Sequence, residues 1–293
     1  MSIASTFLLG GDLPIHRVGY GAMRLCAQPG NFGPYPDWEG GKRLLRRAVE
    51  LGVNFIDTAH PYGPGWNEQL IADALAPYPP GLIVTTKGGV EKTAPDKVFP
   101  DGKPESLRRF CEGSLRRLKL ERIELYQLHR PDPNVPFAES VGALAALRAE
   151  GKIRHLGLSN VTLPQVREAQ AIVPIASVQN RYNFLEREDD PTLDYCARHG
   201  IAYLPWGPLA AKPFAPEAPL AGAASQLAQI AAELAISPGQ FALTWLLHRS
   251  SNIILIPGTT SIVHLEENIA AGNVSLPPSA LATLSSPHGS RLS

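Results

Sequence analysis

Residues 54–63 read NFIDTAHPYG, and the interpretation of this stretch decides the fold. Phe55 and Ile56 stand side by side in an apolar run, VNFIDTA (53–59), instead of alternating with polar residues. That is the mark of a strand covered on both faces. The run delivers Asp57 near its end, with His60 and Tyr62 just beyond. Taken alone, Asp57 also fits a plain polar strand end that satisfies turn amides. The rest of the chain separates the two readings.

Working outward, short apolar runs alternate with amphipathic stretches. Strands are predicted at 18–23, 53–59, 81–87, 123–129, 153–160, 175–180, 201–206 and 252–258. Helices are predicted at 40–52, 67–76, 104–120, 137–151, 162–172, 191–200, 224–235, 237–250 and 261–272. A hairpin around Gly10-Gly11-Asp12 precedes them. Eight strands, each followed by a helix, in roughly 250 residues predict an α/β fold, a (β/α)8 TIM barrel with an N-terminal β-hairpin. The whole chain, 1–293, then reads as a single barrel domain. A doubly wound dinucleotide fold would need G-x-G-x-x-G, and GYGAMR (19–24) has Arg24 where the third glycine belongs.

Composition narrows the function classes. The 27 basic and 27 acidic side chains cancel, which argues against a nucleic-acid or anionic-membrane partner. No apolar run approaches the roughly 18 residues of a membrane span, and the start lacks a charged n-region and cleavage site. Cys26, Cys111 and Cys196 are sparse and odd in number, as free thiols in a cytoplasmic protein would be. No H-x-x-x-H or Cys/His spacing suggests a metal site.

In a parallel barrel all C-terminal strand ends open on one face. The tip residues are Met23, Asp57, Lys87, His129, Ser159, Asn160, Gln179, Trp206 and Gly258, with Tyr62 on the loop after one tip. A buried lysine beside an aspartate stays charged. A tyrosine beside that ammonium should have its pKa pulled below the ordinary value of about 10 and serve as a general acid. His129 can donate a hydrogen bond to the same oxygen or relay a proton. Such a site polarises and protonates a carbonyl oxygen but lacks a hydride, so a hydride donor must be bound. Individually Lys87 could merely cap a strand and His129 could be a core histidine; their coincidence at consecutive tips favours chemistry.

Here the chain resembles the aldo-keto reductases. The stretches are GVNFIDTAHPYG (52–63), VTTKGG (84–89), LYQLHRPD (125–132), KIRHLGLSN (152–160), SVQNRYN (177–183) and IPGTTSIVHLEEN (256–268). The loop GAMRLCAQPGNFGPYPD (21–37) is most similar to the bacterial pyridoxal-reductase-like branch. The resemblance implies a catalytic tetrad of Asp57, Tyr62, Lys87 and His129, with Tyr62 as proton donor. It implies NADP(H) as cofactor, with NAD possible. Gly21, Met23, Asp57, Ser159, Asn160 and Gln179 would surround the nicotinamide, on which Trp206 would stack. Gly207, Pro208, Leu209 and Ala210 would line the pyrophosphate. Ile256, Gly258, Thr259, Thr260, His264, Glu267 and Asn268 would hold the rest of the nucleotide, on a helix N-terminus suited to phosphate.

Two features depart from the family pattern. Many members carry Lys and Arg where this chain has Gly258 and His264, which weakens the expected grip on a 2′-phosphate. The C-terminal segment after the last barrel helix is short, so the pocket should be open and walled by the loops at 24–38, 60–67 and 130–136. Arg24 and Arg130 would lie near it, either holding an anionic substrate group or, as most arginines do, pairing with loop carboxylates. The expected activity is reduction of an aldehyde or ketone, the substrate pyridoxal-like, by a monomer or weak oligomer. The alternatives are an NAD-dependent aldose or galactose-type dehydrogenase and a non-enzymatic redox-sensing regulatory subunit.

Overall fold

The computed structural model describes residues 5–209 and 230–277. After the hairpin β1 (Thr6–Leu9) and β2 (Leu13–His16), seven parallel strands form one curled sheet. They are β3 (Tyr20–Gly21), β4 (Phe55–Asp57), β5 (Ile83–Gly88), β8 (Ile123–Leu128), β9 (Ile153–Ser159), β10 (Ile175–Gln179) and β11 (Ala202–Tyr203), side by side in that order. The eighth strand predicted at 252–258 closes the ring through parallel bridges from Ile253 to Tyr203 and from Leu255 to Val18. The helices α1 (Trp38–Glu50), α2 (Trp66–Leu75), α3 (Pro104–Leu118), α4 (Phe137–Ala149), α5 (Leu163–Gln170), α6 (Asp190–Arg198), α7 (Pro238–Arg249) and α8 (Ile262–Ala270) follow the strands as the barrel pattern requires.

The boundaries have local causes. Helix α1 starts at Trp38, before the predicted 40, because the Asp37 carboxylate accepts from Gly40 N and caps it. Thr162 and Ser237 form capping boxes with Gln165 and Gln240. The first strand is cut to two residues because Ala22–Arg24 turn into a 3-10 helix. Most of the helix predicted at 224–235 lies outside the described residues. One element was not anticipated: β6 (Val90–Ala94) and β7 (Lys97–Pro100) form an antiparallel hairpin directly after β5.

The N-terminal hairpin plugs the lower end of the barrel. Leu9, Leu13 and Ile15 share a buried cluster with Phe55, Ile83, Leu125, Ala202 and Ile254 from the strands. Asn54, just before β4, receives His16 N at 2.7 Å and donates to Pro14 O at 3.1 Å, which fixes the plug. Chemistry is therefore confined to the opposite end. Cys26, Cys111 and Cys196 are free and buried, and burial pushes all three thiols up to about 12.

Barrel closure depends on Arg17, which is 3% exposed and donates to the carbonyls of Leu247, Ser250 and Ile253 at 2.9, 2.5 and 2.9 Å. Burial lowers its pKa to about 10. Arg17→Met should orphan these carbonyls and destabilise the protein by about 2–4 kcal/mol, since each buried unsatisfied group costs roughly 1–3 kcal/mol. Urea unfolding measures this; an unchanged midpoint would show that the carbonyls find other donors.

Candidate active site

At the open end, Asp57, Lys87, Tyr62 and His129 come together. Asp57 ends β4 opposite Thr85 of β5, and Lys87, two residues further along β5, extends its side chain back to that tip. Lys87 Nζ donates to Asp57 Oδ2 at 2.6 Å and to Thr58 O at 2.9 Å, with the lysine side chain 0% exposed. The other carboxylate oxygen accepts from Gln127 at 3.2 Å and Gln179 at 3.0 Å. Both oxygens of a buried carboxylate are thus satisfied, which burial of a charge requires.

Gln127 is a functional neighbour that the tip rule missed. It sits two residues before His129, as Thr85 sits two before Lys87 and Ser177 two before Gln179. Strand alternation puts such pairs on one face, and polar residues at that spacing in apolar runs were the available signal. Gly157 makes room for this layer: a Cβ there would collide with Ser177 Oγ and Gln127 Cγ.

The Tyr62 loop is held rigidly. Asn67 accepts from Thr58 Oγ1 at 2.6 Å and donates to the carbonyls of Ala22 and Leu25. Gly63 has φ +63°, and a Cβ on it would lie 2.6 Å from Gly33 O. Buried Glu68 receives Arg117 Nε at 2.7 Å and Thr86 Oγ1 at 2.6 Å, and Arg117 Nη2 reaches His60 Nδ1 at 3.0 Å. These bonds set the Tyr62 ring with its centre 5.3 Å from Lys87 Nζ and 5.9 Å from the His129 ring, edge-on at 85°.

The electrostatics correct one expectation. Burial pushes the Tyr62 hydroxyl above its ordinary range, and the Lys87 charge only partly offsets it; the net shift is upward, not downward. For Lys87 the balance is reversed. Burial favours the neutral amine, yet Asp57 and Tyr62 together hold its pKa above the ordinary value. His129 is driven well below the usual imidazole range by burial and by the charges of Lys87 and Arg130. Its Nδ1 is buried without a partner, so a hydrogen bond between His129 and a ligand in the cleft falls to Nε2.

A cleft of about 350 Å³ opens above these groups. Gly21, Met23, Asp57, Tyr62 and His129 line one part of it, and Ser159, Asn160, Gln179 and Trp206 another. Gly207, Pro208, Leu209, Ile256 and Gly258 continue the wall. Asn160, with φ +56°, donates to His129 O and accepts from Trp206 Nε1 at 3.2 Å, and the Arg181 guanidinium lies 5.1 Å over the indole. Trp206 is thereby locked as a flat wall. Gln179 spends its amide nitrogen on Asp57 and Gln127, and Asn160 spends its own on His129 O and Ser159 Oγ. Ala210 lies outside the described residues.

Gly258 is the last residue of the lining; the chain runs on to the N-terminus of α8, and Thr259, Thr260, His264, Glu267 and Asn268 do not line the cleft. Thr259 is buried, its Oγ1 accepting from Ser261 N at 3.1 Å, and the His264 side chain is exposed on the first turn. Ser261 Oγ caps His264 N at 3.4 Å. Thr260 is exposed, Glu267 half-buried and Asn268 9% exposed on the same helix. An aromatic wall, amide groups and a helix N-terminus follow one another along this track. That order suits an extended ligand with a flat polar ring at one end and phosphates at the other.

The walls also include Val90, Lys92 and Val98 of the β6–β7 hairpin, which the sequence reading left out, together with Arg24 and Arg130. Pro95-Asp96 at the hairpin tip was the overlooked turn signal. Neither Arg24 nor Arg130 pairs with a carboxylate among the described residues, contrary to the pairing expected of them. Among the described residues, no group of three or more His, Cys, Asp or Glu could hold a metal ion, and no helix is long and apolar enough to cross a membrane.

The aldo/keto reductase family model matches residues 17–286. The chain is 42% identical over 287 residues to pyridoxine 4-dehydrogenase of Escherichia coli, covering 96% of this chain and 97% of that protein. It is 42% identical over 274 residues to an uncharacterized oxidoreductase of Schizosaccharomyces pombe, covering 94% and 87% respectively. Among solved structures, the glycerol dehydrogenase of Gluconobacter oxydans superposes with a TM-score of 0.85 at 28% identity, over 96% of this chain and 94% of that one. Barrel, tip residues and relatives agree: the chain belongs to the aldo/keto reductase family and is an oxidoreductase.

Proposed function

We propose that the chain, as one barrel domain, reduces an aldehyde or ketone to the alcohol, with Asp57, Tyr62, Lys87 and His129 as its catalytic residues and NADP(H) as cofactor. The observation that carries the reading is the seating of Tyr62 between the Lys87 ammonium and the His129 ring at the floor of one cleft. When bound along the track from Trp206 to α8, the dinucleotide supplies the hydride that the protein lacks. The substrate carbonyl oxygen accepts from Tyr62 Oη and His129 Nε2, which polarises it. Tyr62 then gives up its proton, and the adjacent ammonium compensates the charge left on the phenolate. Asp57 keeps that ammonium in place, and Gln127 and Gln179 keep Asp57 in place.

The upward shift of Tyr62 has a consequence in each direction of reaction. Reduction needs the protonated phenol, which a raised pKa retains throughout the neutral range. Oxidation needs the phenolate, so its rate should climb as pH becomes alkaline. Initial rates in both directions across pH test this; oxidation that declines as pH rises would exclude Tyr62 as the proton carrier.

NADPH should bind more tightly than NADH, by a modest factor. The amides at the start of α8 favour phosphate, and no Asp or Glu lies within residues 256–264 to repel it. Gly258 and exposed His264 stand in place of two cations, however, and Thr259 and Ser261 already accept bonds within the loop. Neutral donors give bonds roughly half as strong as charge-assisted ones. Fluorescence titration of both nucleotides measures the ratio, and equal or tighter NADH binding would favour the NAD-dependent dehydrogenase reading.

The identity to the E. coli enzyme supports a pyridoxal-like aldehyde as substrate. A panel of pyridoxal, other aromatic aldehydes, sugars and dicarbonyls, followed by NADPH consumption, tests it; turnover confined to sugars would sink that choice. The reading completes as a cytoplasmic enzyme acting as a monomer or weak oligomer.

A further inference from the structure

We infer that the β6–β7 side of the cleft is an anion subsite, built on Lys92 and Arg130, which selects carbonyl substrates bearing a carboxylate or phosphate. The inference rests on the reductase reading and names the substrate class for that same site.

Lys92 lies on β6 opposite Val98 and is 8% exposed, yet its residue lines the cleft. Its Nζ has one protein acceptor, the carbonyl of Gly30, and no carboxylate within 4.0 Å among the described residues. An ammonium has three donors, so two remain for a ligand. Lys87 and Arg117, at the same end of the barrel, each face a carboxylate, Asp57 and Glu68. Lys92 does not, although burying a charge without a counter-ion is costly. Burial accordingly lowers its pKa; an anion in the cleft would relieve that cost.

Arg130 follows His129 on the loop after β8, lines the same cleft and is near enough to depress the His129 pKa. It too has no carboxylate partner among the described residues. Asp57 is the sole carboxylate of the lining, and its two oxygens are taken by Lys87, Gln127 and Gln179. The mouth therefore carries uncompensated positive charge over low-dielectric walls, the arrangement that concentrates anions. Arg24 adds a third cation, but it lies by Tyr20, whose hydroxyl bonds Thr259 O at 2.7 Å. That places it on the side of the α8 loop, so it is assigned to the nucleotide end. Val90 and Val98 add apolar surface to the same side of the cleft.

The test compares 4-carboxybenzaldehyde with its near-isosteric methyl ester, methyl 4-formylbenzoate. The wild type should favour the carboxylate in kcat/KM by about tenfold or more, the scale of one hydrogen bond to a charged group. Arg130→Met, which removes an exposed side chain, and Lys92→Met should each collapse that ratio, and Lys92→Arg should restore part of it. Calorimetric titration of 4-(hydroxymethyl)benzoate and its methyl ester into the enzyme saturated with NADPH, a pair that cannot exchange a hydride, reads the same preference without turnover. Equal binding of acid and ester, or a ratio unchanged in both Met variants, would overturn the subsite. So would a loss of NADP+ affinity parallel to the loss of preference, which would assign the cations to the nucleotide. Should neither aldehyde oxidise NADPH, the reductase reading falls, and the calorimetric comparison still decides the subsite.

Discussion

Tyr62→Phe should lower kcat for carbonyl reduction by about 10²- to 10⁴-fold, the range a positioned general acid contributes. The substitution removes one oxygen and keeps the ring. The edge-on contact with His129 and the approach of Lys87 to the ring face are retained, as are the backbone bonds that hold the loop. Circular dichroism and nucleotide affinity should therefore match the wild type. His129 still polarises the carbonyl, so a residual rate is expected instead of none. A variant with normal kcat would remove Tyr62 from the mechanism and leave water or His129 as proton source. The neutral state of His129 argues against that second choice, because an imidazole held far below its usual range is a donor of hydrogen bonds, not of protons at neutral pH.

Lys87→Met should abolish most activity and destabilise the protein by about 3–5 kcal/mol, because it leaves Asp57 charged and unpaired in a buried site. The Lys87–Asp57 contact is 2.6 Å with side chains 0% and 5% exposed, so solvent cannot substitute for the lost ammonium. The double substitution Asp57→Leu with Lys87→Met removes both charges and should recover part of the stability, though not the activity. Recovery will be incomplete, since Gln127 and Gln179 then each lose one of two acceptors. Thermal unfolding of the two variants separates the outcomes; equal melting of the single variant and the wild type would show that the pair does not hold the barrel mouth together.

The pair also sets a pH dependence. The folded-state pKa of Lys87 is raised, so its contribution is fully present below the ordinary lysine value and is lost as pH rises through the folded value. Tyr62 is raised as well, and its contribution disappears in the same alkaline window. The wild type should thus lose stability above about pH 10, where unfolded lysine and tyrosine lose their protons, and part of that loss should be missing in Lys87→Met.

Much of this was legible before any coordinates. The strands that lead to Asp57, Lys87 and His129 hold side-by-side apolar residues, Phe55-Ile56, Ile83-Val84 and Leu125-Tyr126, the mark of a covered parallel sheet. Once eight such units are recognised, closure forces their C-terminal ends onto one rim, and the tip residues become neighbours by topology alone. The N-terminal hairpin was legible because Gly10 and Gly11 turn it with φ of +63° and +85°.

Other features depended on how the closed barrel fills. The β6–β7 hairpin is short and largely exposed, with β7 showing no buried residue, so no apolar period marks it; it is held by its place over the cleft. Gln127 became a support for Asp57 because barrel curvature turns one face of β8 toward the axis. Pairing of Arg24 and Arg130 was expected from the habit of surface arginines, and only the placement of the loops shows that no described carboxylate reaches them. The sign of the Tyr62 shift is the clearest case. The neighbouring residues told that Lys87 would pull the pKa down, whereas the depth of the cleft decided that burial pushes it up further. Strand patterning reports which groups meet, but desolvation is a property of the enclosed volume around them, and no linear spacing encodes that volume.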